Sequence, residues 1–143
     1  MSKIRVLMVD DEAGFTRMAK VSLEARGGYS VEVVNDSCDA ISTASRIKPD
    51  IILLDLIMPG MDGGDVASLL KADPELKDIP VIFLSATVTE NAAANDGLVS
   101  GGHLFLSKPV ALQDLMRCME TCLAKKENRP PTAPPATGAA PGP

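Results

Sequence analysis

The sequence predicts an α/β fold, a doubly wound parallel sheet of five strands with helices on both faces. Two observations support this prediction. Five short apolar runs are spread along the chain, and segments with apolar residues at helical spacing lie between them. Short apolar runs are typical of strands covered on both faces, and strands that alternate with helices form parallel sheets. In such sheets the functional crevice lies beyond the carboxyl ends of the strands.

The predicted strands are short and carry few polar residues. The first is apolar except for Arg5, the second is a half-alternating run rich in β-branched residues, and the other three are wholly apolar. The five strands are predicted at 4–9, 29–34, 51–54, 81–84 and 104–106. Because none of these runs is long enough for an ordinary helix, their apolar character favours buried strands.

Apolar residues at helical spacing mark the segments between the strands. The first helix is predicted to bury Phe15, Met18, Ala19 and Leu23. A second helix has apolar residues from 40 to 47, a third begins after Gly63-Gly64, and the last has the clearest apolar face, over 112–123. The segment 89–102 is rich in alanine and asparagine and contains three glycines, so it predicts only a short or loosely packed helix.

Length and composition divide the chain into one domain and a tail. A chain of 143 residues is long enough for one ordinary domain. We place this domain at 1–126. The remaining residues, 127–143, are predicted to be a disordered tail or a linker stub, because 129–143 contains six of the eleven prolines and a single charged residue.

Composition also argues against several classes of function. The net charge is −5, whereas a nucleic-acid-binding domain usually presents a basic face, and aromatic residues make up only 3% of the chain. There is no long apolar run for membrane insertion and no signal-peptide pattern at the start of the sequence. Three cysteines without paired spacing fit a reducing compartment. We therefore expect a cytoplasmic protein.

Chemically capable residues follow four of the predicted strands. Asp10 and Asp11 come directly after the first strand, Asp55 after the third, Ser85 after the fourth, and Lys108 after the fifth. Because the carboxyl ends of parallel strands meet at one edge of the sheet, we expect these side chains to share one site.

Three carboxylates at one edge favour a metal ion. Two carboxylates about 5 Å apart repel each other by roughly 3 kcal/mol at an effective dielectric constant of 20. A hard dication with oxygen ligands relieves this repulsion, and Mg²⁺ keeps open positions for phosphate oxygens. A carboxylate can also attack phosphorus. Asp55, Mg²⁺, Lys108 and Ser85 would then serve the charge that spreads over a transferring phosphoryl group.

Each of these residues also has a simpler interpretation when taken alone. The Asp10-Asp11 pair could cap a helix, and Asp55 could merely end a strand. Lys108 could be a solvated loop cation, and Ser85 could begin a helix. Together, however, four strand ends that carry such residues in this order favour a functional site.

Four motifs show a resemblance to a known family. They are Val-Asp-Asp-Glu at 9–12, Leu-Leu-Asp-Leu-Ile-Met-Pro-Gly-Met-Asp-Gly at 53–63, Phe-Leu-Ser-Ala at 83–86 and Phe-Leu-Ser-Lys-Pro at 105–109. Over about residues 3–125 the chain resembles the receiver domain of bacterial two-component response regulators. The resemblance implies the flavodoxin-like fold of CheY, with five parallel strands in the order 2-1-3-4-5.

The resemblance also implies a role for each matching position. Asp55 corresponds to the phosphoacceptor and would itself be a metal ligand. Asp10 and Asp11 correspond to the other Mg²⁺ carboxylates, and the backbone carbonyl of Ile57 to a further ligand. Lys108 corresponds to the cation that pairs with the phosphoryl group.

The resemblance further implies a switch that carries the signal to a partner. Ser85 corresponds to the switch hydroxyl and Phe105 to the switch aromatic residue. The expected donor is a sensor histidine kinase or a phosphotransfer protein. The expected output is binding of a downstream protein by the surface of the fourth helix, fifth strand and fifth helix. The chain would be a monomer or a phosphorylation-dependent homodimer, without direct binding to nucleic acid.

Three positions depart from the usual pattern. Phe105 lacks the hydroxyl of a tyrosine, so the switch would depend on packing. Ile57 and Thr87 occupy the positions that tune phosphoryl lifetime, and neither is well suited to orient an attacking water molecule. We therefore predict autodephosphorylation over minutes or longer. The glycines at 97–102 depart from the usual fourth helix of the family and leave the output surface open.

Other functions remain as alternatives. A Mg²⁺-dependent aspartyl phosphohydrolase would commonly need a second aspartate two residues after the nucleophile, where this chain has Ile57. We therefore expect the chain to catalyse only its own phosphoryl transfer and dephosphorylation. A degenerate receiver that binds partners without phosphorylation is disfavoured, because all five functional positions are intact. A receiver domain cut from a longer regulator would share the same motifs.

Overall fold

The structure is a computed structural model that describes residues 3–85, 98–100, 103–107 and 111–128. These residues form six strands and four α-helices, with a short 3₁₀ turn at Ser37–Asp39. In chain order the elements are β1 (Ile4–Val9), α1 (Ala13–Arg26), β2 (Tyr29–Val34), α2 (Ala40–Ile47), β3 (Ile51–Asp55), α3 (Gly63–Ala72), β4 (Val81–Ser85), β5 (Leu98–Ser100), β6 (His103–Ser107) and α4 (Leu112–Asn128).

The strands form one sheet in the order β2-β1-β3-β4-β6-β5. The first five strands of this order are parallel to their neighbours. They are the five strands predicted from the sequence, and their spatial order confirms the predicted parallel sheet with order 2-1-3-4-5. The carboxyl ends of these strands therefore lie along one edge of the sheet.

A sixth strand, β5, extends the sheet beyond the predicted five. It is antiparallel to β6 and pairs Leu98 with Phe105 and Ser100 with His103. The prediction of a helix over 89–102 is therefore wrong for residues 98–100. The sequence signal is the apolar pair Leu98-Val99, of which Val99 is β-branched, followed by Ser100 and two glycines, a pattern typical of a tight hairpin. Residues 89–97 lie outside the described residues.

The sheet buries a layer of apolar side chains on each face. Leu7 and Val9 of β1 point to the face covered by α2 and α3, whereas Val6 and Met8 point to the face covered by α1 and α4. This alternation follows from the two-residue period of a strand. Because both faces are covered, the doubly wound arrangement predicted from the apolar strands is confirmed.

The buried faces of the helices differ in detail from the predicted ones. In α1 the buried residues are Thr16, Ala19 and Leu23, whereas Met18 is 59% exposed. Met18 lies one position before Ala19, about 100° away around the helix. The predicted buried face of α1 was therefore too wide, because it included Met18. At the other end of the domain, α4 runs to Asn128, beyond the predicted domain boundary at residue 126.

Within the described ranges, none of the helices is both long enough and apolar enough to cross a membrane.

Candidate functional site

Three carboxylates meet at the carboxyl edge of the sheet. Asp10 follows β1 and Asp55 ends β3. Because the parallel register pairs Val9 with Leu54, Asp10 and Asp55 lie side by side. Together with Asp11 they offer oxygen atoms that all lie within 4.8 Å of one another. The structure therefore brings together the three carboxylates that the sequence predicted.

Two of these carboxylates are withdrawn from water. Asp10 is 0% exposed and Asp55 is 4% exposed, whereas Asp11 is exposed at the rim. Charges at these distances repel each other by about 3 kcal/mol per pair at an effective dielectric constant of 20. A cation among the oxygens would attract all three carboxylates and thereby offset the repulsion between them.

The donor set fits Mg²⁺. The contacting atoms are hard carboxylate oxygens, and their spread of 4.8 Å is close to the separation of about 4 Å between opposite ligands of an octahedral Mg²⁺ ion. The residues that could hold the ion are Asp10, Asp11 and Asp55. The predicted fourth ligand, the backbone carbonyl of Ile57, stays a prediction. Ile57 lies in the loop after β3 with its side chain 60% exposed.

The loop between β1 and α1 holds Asp10 and Asp11 ahead of the helix. The Glu12 N–H donates a hydrogen bond of 2.9 Å to Oδ1 of Asp10, which turns the chain after β1. The N-cap of α1 is Glu12, and its side chain makes no capping hydrogen bond. The simpler interpretation of the aspartate pair as the cap of α1 is therefore wrong, because both residues precede the cap.

The start of α3 packs against the backbone of Asp55. Asp62 and Asp65 form a capping box in which the Asp65 N–H donates to Asp62 Oδ1 at 2.9 Å and the Asp62 N–H donates to Asp65 Oδ2 at 3.4 Å. The next residue, Gly63, donates its N–H to the Leu56 carbonyl at 2.8 Å. A Cβ atom at Gly63 would lie 2.4 Å from the backbone oxygen of Asp55. The approach of α3 to the site therefore requires glycine there.

The remaining predicted site residues lie at or beyond the ends of β4 and β6. Ser85 ends β4, and its backbone pairs with Ser107 of β6. Asp55 pairs with Leu84, so Ser85 stands near Asp55 at the same edge of the sheet. Lys108 and Thr87 lie outside the described residues, so their predicted roles stay predictions.

Phe105 lies beneath this edge, on β6. Its ring is half-buried and stacks on Phe83 of β4, with ring centroids 5.0 Å apart and an angle of 20° between the planes. The two residues are direct partners in the β4–β6 register. The aromatic residue predicted as the switch therefore has a defined apolar partner in this structure.

Asn35 and Thr16 lie near the site, and the sequence pattern marked neither of them as functional. Asn35 follows β2 and donates from Nδ2 to the backbone carbonyl of Asp10 at 2.8 Å and to Thr16 Oγ1 at 3.0 Å. The available signal was the position of Asn35, a polar residue directly after a strand, as at Asp10 and Asp55. Its partners depend on the register of β1 and β2, which the sequence does not show.

Comparison with known proteins gives the same picture. The sequence profile of the response regulator receiver domain matches residues 6–120. MtrA of Mycobacterium tuberculosis, a DNA-binding response regulator, is 32% identical over 126 residues, which cover 88% of this chain and 53% of MtrA. The response regulator PleD of Caulobacter vibrioides is 42% identical over 106 residues, which cover 74% of this chain and 23% of PleD. The chain thus spans about half the length of MtrA and less of PleD.

A solved structure shares the fold along nearly its whole length. The chemotaxis response regulator CheY4 of Vibrio cholerae superposes with a TM-score of 0.71 and 26% sequence identity, over 85% of this chain and 99% of that chain. The profile match covers most of the folded elements, from β1 into α4, and includes all three clustered aspartates. This chain belongs to the response regulator receiver domain family of two-component signalling proteins.

Proposed function

We propose that this chain is a phosphoacceptor in a two-component phosphorelay, and that Asp55 carries the phosphoryl group. The observation that supports this most strongly is the convergence of Asp10, Asp11 and Asp55 within 4.8 Å at the carboxyl edge of the sheet. Asp55 ends β3, which lies between β1 and β4 in the sheet; Asp10 and Asp11 follow β1, and Ser85 ends β4. Its carboxylate is the nucleophile of the proposed reaction.

The proposed step transfers a phosphoryl group from a phosphohistidine of a sensor histidine kinase or a phosphotransfer protein. An Oδ atom of Asp55 attacks phosphorus and a P–O bond forms as the P–N bond of the donor breaks. The donor imidazole leaves neutral, with the P–N electron pair on the released nitrogen and a proton already on its other ring nitrogen. The product is an acyl phosphate. Asp10, Asp11 and Asp55, with the Ile57 carbonyl as the expected further ligand, would hold Mg²⁺, which would supply positive charge to offset the charge on the phosphoryl oxygens.

Two further groups complete the proposed site. Lys108 pairs with one phosphoryl oxygen and the Ser85 hydroxyl donates to another. The movement of Ser85 toward the phosphoryl group frees space that the ring of Phe105 takes up. Moving such an equilibrium from 1:99 to 99:1 requires about 5.5 kcal/mol. Hydrogen bonds to charged groups contribute roughly 1.5–3 kcal/mol each, so two or three of them supply this difference.

The proposed output is a change in a protein-binding surface. It is formed by β6 and α4 together with the segment 89–102, which stands where the family has its fourth helix and of which 89–97 and 101–102 lie outside the described residues. Its partner is a downstream protein. The chain acts as a monomer or as a phosphorylation-dependent homodimer in the cytoplasm, without direct contact with nucleic acid or membrane insertion. DNA binding is described for MtrA and is not part of this proposal.

The residue two positions after Asp55 favours a phosphoacceptor over a phosphohydrolase. An aspartyl phosphohydrolase needs a second acid–base group close to its nucleophile, and Ile57 places an apolar side chain two residues after Asp55. The proposed function is therefore a single phosphorylation of the chain itself. Turnover of a small phosphate ester would contradict it.

Mass spectrometry after incubation with acetyl phosphate and Mg²⁺ tests the proposal. The wild-type chain gains the mass of one phosphoryl group, and Asp55→Ala does not. Asp78→Ala is the control, because Asp78 is an exposed carboxylate that precedes β4, away from the site. The proposal fails if Asp55→Ala is labelled like the wild type, or if the wild type stays unlabelled with Mg²⁺ present.

A further inference from the structure

Asn35 joins the loop that carries Asp10 and Asp11 to the first turns of α1. It is the first residue after β2 and its side chain lies at the carboxyl edge of the sheet. One nitrogen, Nδ2, donates to the backbone carbonyl of Asp10 at 2.8 Å and to Oγ1 of Thr16 at 3.0 Å. A carbonyl oxygen can only accept a hydrogen bond, so the orientation of the amide follows from its partner.

The contact with Asp10 extends the β1–β2 ladder by one hydrogen bond. Val9 pairs with Val34 in the parallel register, so Asp10 and Asn35 would be the next pair. The Asp10 N–H still donates to the Val34 carbonyl at 3.0 Å, as a ladder bond does. Strand β2 ends at Val34, and the side-chain amide of Asn35 supplies the donor for the Asp10 carbonyl.

The contact with Thr16 fixes the other side of the same loop. Thr16 is 1% exposed, and its hydroxyl donates to the Ala13 carbonyl at 3.1 Å while accepting from Asn35. The Thr16 N–H donates to the Glu12 carbonyl at 3.1 Å, in the first turn of α1. A buried hydroxyl with both partners satisfied is a rigid anchor, because losing either bond costs free energy.

We infer that Asn35 is a positioning residue for the metal-binding carboxylates. It acts through the Asp10 carbonyl and the Thr16 hydroxyl, and holds the backbone from Asp10 to Glu12 in the conformation that presents Asp10 and Asp11 to the ion. This inference rests on the proposed function of the site. Its consequence is tighter Mg²⁺ binding, because Mg²⁺ requires near-ideal octahedral geometry.

The size of the effect follows from what such contacts do elsewhere. Partners that hold the ligands of a metal typically change its affinity by about 10- to 100-fold when they are removed. Asn35 contacts the backbone of a ligand rather than its carboxylate. We therefore expect the lower end of this range, a loss of about tenfold in Mg²⁺ affinity.

Calorimetric titration of the full chain with Mg²⁺ tests the inference. Asn35→Ala and Thr16→Val should each raise the dissociation constant about tenfold. Thr16→Ser keeps the hydroxyl and should bind Mg²⁺ like the wild type. Ser42→Ala is the matched control, because the Ser42 hydroxyl also donates to a carbonyl three residues back, at 3.1 Å, but lies on α2.

A second measurement reports positioning in the absence of metal. The Glu12 N–H donates to Asp10 Oδ1, so its hydrogen exchange with solvent follows the order of the loop. In the metal-free chain this exchange should be faster in Asn35→Ala than in the wild type or Ser42→Ala. Because Asn35 is exposed, we expect its replacement to leave the fold intact. Thermal unfolding in EDTA verifies that each variant is folded at the temperature of the titration.

The outcomes separate this inference from the proposed function. If the wild type binds Mg²⁺ and Asn35→Ala binds it equally well with unchanged Glu12 exchange, the positioning role is wrong and the proposed function stands. If the wild type does not bind Mg²⁺, the proposed function fails and the inference fails with it. A loss of affinity in Thr16→Ser as large as in Thr16→Val would also contradict the inference, because the hydroxyl would then be irrelevant.

Discussion

Gly63 is the residue whose replacement tests the geometry of Asp55 most sharply. Its backbone has no positive φ, so space rather than conformation requires glycine. A Cβ atom would lie 2.4 Å from the backbone oxygen of Asp55 and 2.8 Å from the Cα of Leu56. Gly63→Ala must therefore shift either the start of α3 or the backbone at Asp55 and Leu56. We predict that phosphorylation by acetyl phosphate slows by about 10- to 100-fold, because small misplacements of reacting groups have effects of this size.

The adjacent glycine provides the control for this prediction. A Cβ atom at Gly64 would meet only the Asp62 side chain, at 3.3 Å, so Gly64→Ala makes the same chemical change in the same helix with little strain. The phosphorylation rate of Gly64→Ala should stay within about twofold of the wild type. Gly63→Ala, in contrast, should lower the free energy of unfolding by about 1–3 kcal/mol through overpacking. Equal rates in the two variants would contradict the steric account.

Ile57 governs the lifetime of the phosphorylated state in this account. Its side chain is 60% exposed and apolar, two residues after Asp55, so it cannot hold an attacking water molecule by a hydrogen bond. We predict that the acyl phosphate persists for minutes or longer and that Ile57→Asn shortens its half-life. Radiolabel decay measures both. A wild-type half-life of seconds, or a longer half-life in Ile57→Asn, would contradict this prediction.

The residues of the site differ in how well a sequence can predict them. Asp10, Asp11 and Asp55 follow apolar runs directly, so parallel topology alone predicts that they meet. Asn35 and Gly63 act through neighbours that are distant in sequence. The contact of Asn35 depends on the β1–β2 register, and that of Gly63 on the path of the chain from β3 into α3. Neither of these is visible in a residue pattern.

At the scale of elements, side chains of α1 bind the outward-facing backbone groups of Val31 on the edge strand β2. The Val31 N–H donates to Glu24 Oε2 at 2.9 Å, and the Val31 carbonyl accepts from Lys20 Nζ at 2.6 Å. Lys20 and Glu24 also pair with each other at 3.1 Å. Because the backbone groups of Val31 are already bonded, this part of the edge strand is a poor template for strand addition by another chain.

This contact predicts a pH-dependent contribution to stability. The hydrogen bond from the Val31 N–H, together with Lys20, holds the pKa of Glu24 below its ordinary value of 4.5. Because the folded pKa is below the unfolded one, the stabilisation is fully present above pH 4.5 and is lost as the pH falls through the folded pKa. Glu24→Gln should therefore unfold at a lower temperature than the wild type at pH 7.

The difference between the two unfolding temperatures should shrink as the pH is lowered below 4.5, because protonated Glu24 resembles glutamine. The effect is small, since both side chains are more than a third exposed and solvent weakens the pair. Glu75→Gln is the control, because Glu75 meets Lys48 at 3.1 Å on the surface. A gap at Glu24 that stays constant with pH would contradict the assignment.

The elements also show where periodicity predicts well and where it does not. The parallel strands were predicted because their residues are mostly apolar or β-branched. Strand β3 is buried throughout, whereas β2 alternates between buried and exposed residues. Strand β5 has only three residues, too few to establish a period. Its identity depends on pairing with β6, a tertiary contact that overrides local helix preference.

At the scale of the whole molecule, replacing one of the three clustered aspartates should have opposite effects on stability without and with Mg²⁺. Without Mg²⁺, Asp11→Asn removes a charge that repels Asp10 and Asp55, so the chain should gain stability on the order of 1 kcal/mol at this exposed position. With Mg²⁺, the wild type gains about 2.7 kcal/mol at a concentration 100 times the dissociation constant. Asp11→Asn should gain less.

Thermal unfolding in EDTA and in Mg²⁺ measures both effects. We expect Asp11→Asn to melt above the wild type in EDTA and to show the smaller rise when Mg²⁺ is added. Asp78→Asn, which removes an exposed charge away from the site, should follow the wild type in both conditions. Equal rises for the wild type and Asp11→Asn would show that the ion does not bind at this cluster.

At this scale the sequence predicts the architecture because short, mostly apolar strands followed by a polar residue recur along the chain. The order of the strands came from the resemblance, and the structure confirms it. The roles of Ser85 and Lys108 stay predictions, because they depend on side-chain placement at the ends of β4 and β6. Interactions with partners depend on surfaces, where many residue types are tolerated.

The most direct test of the central claim is a crystal structure of the chain with beryllofluoride and Mg²⁺, which together imitate the phosphorylated state. We predict a bond from beryllium to an Oδ atom of Asp55, with the metal ion held by Asp10, Asp11 and Asp55. A bare Asp55 carboxylate beside an empty metal pocket would contradict the claim that Asp55 accepts a phosphoryl group with the help of Mg²⁺.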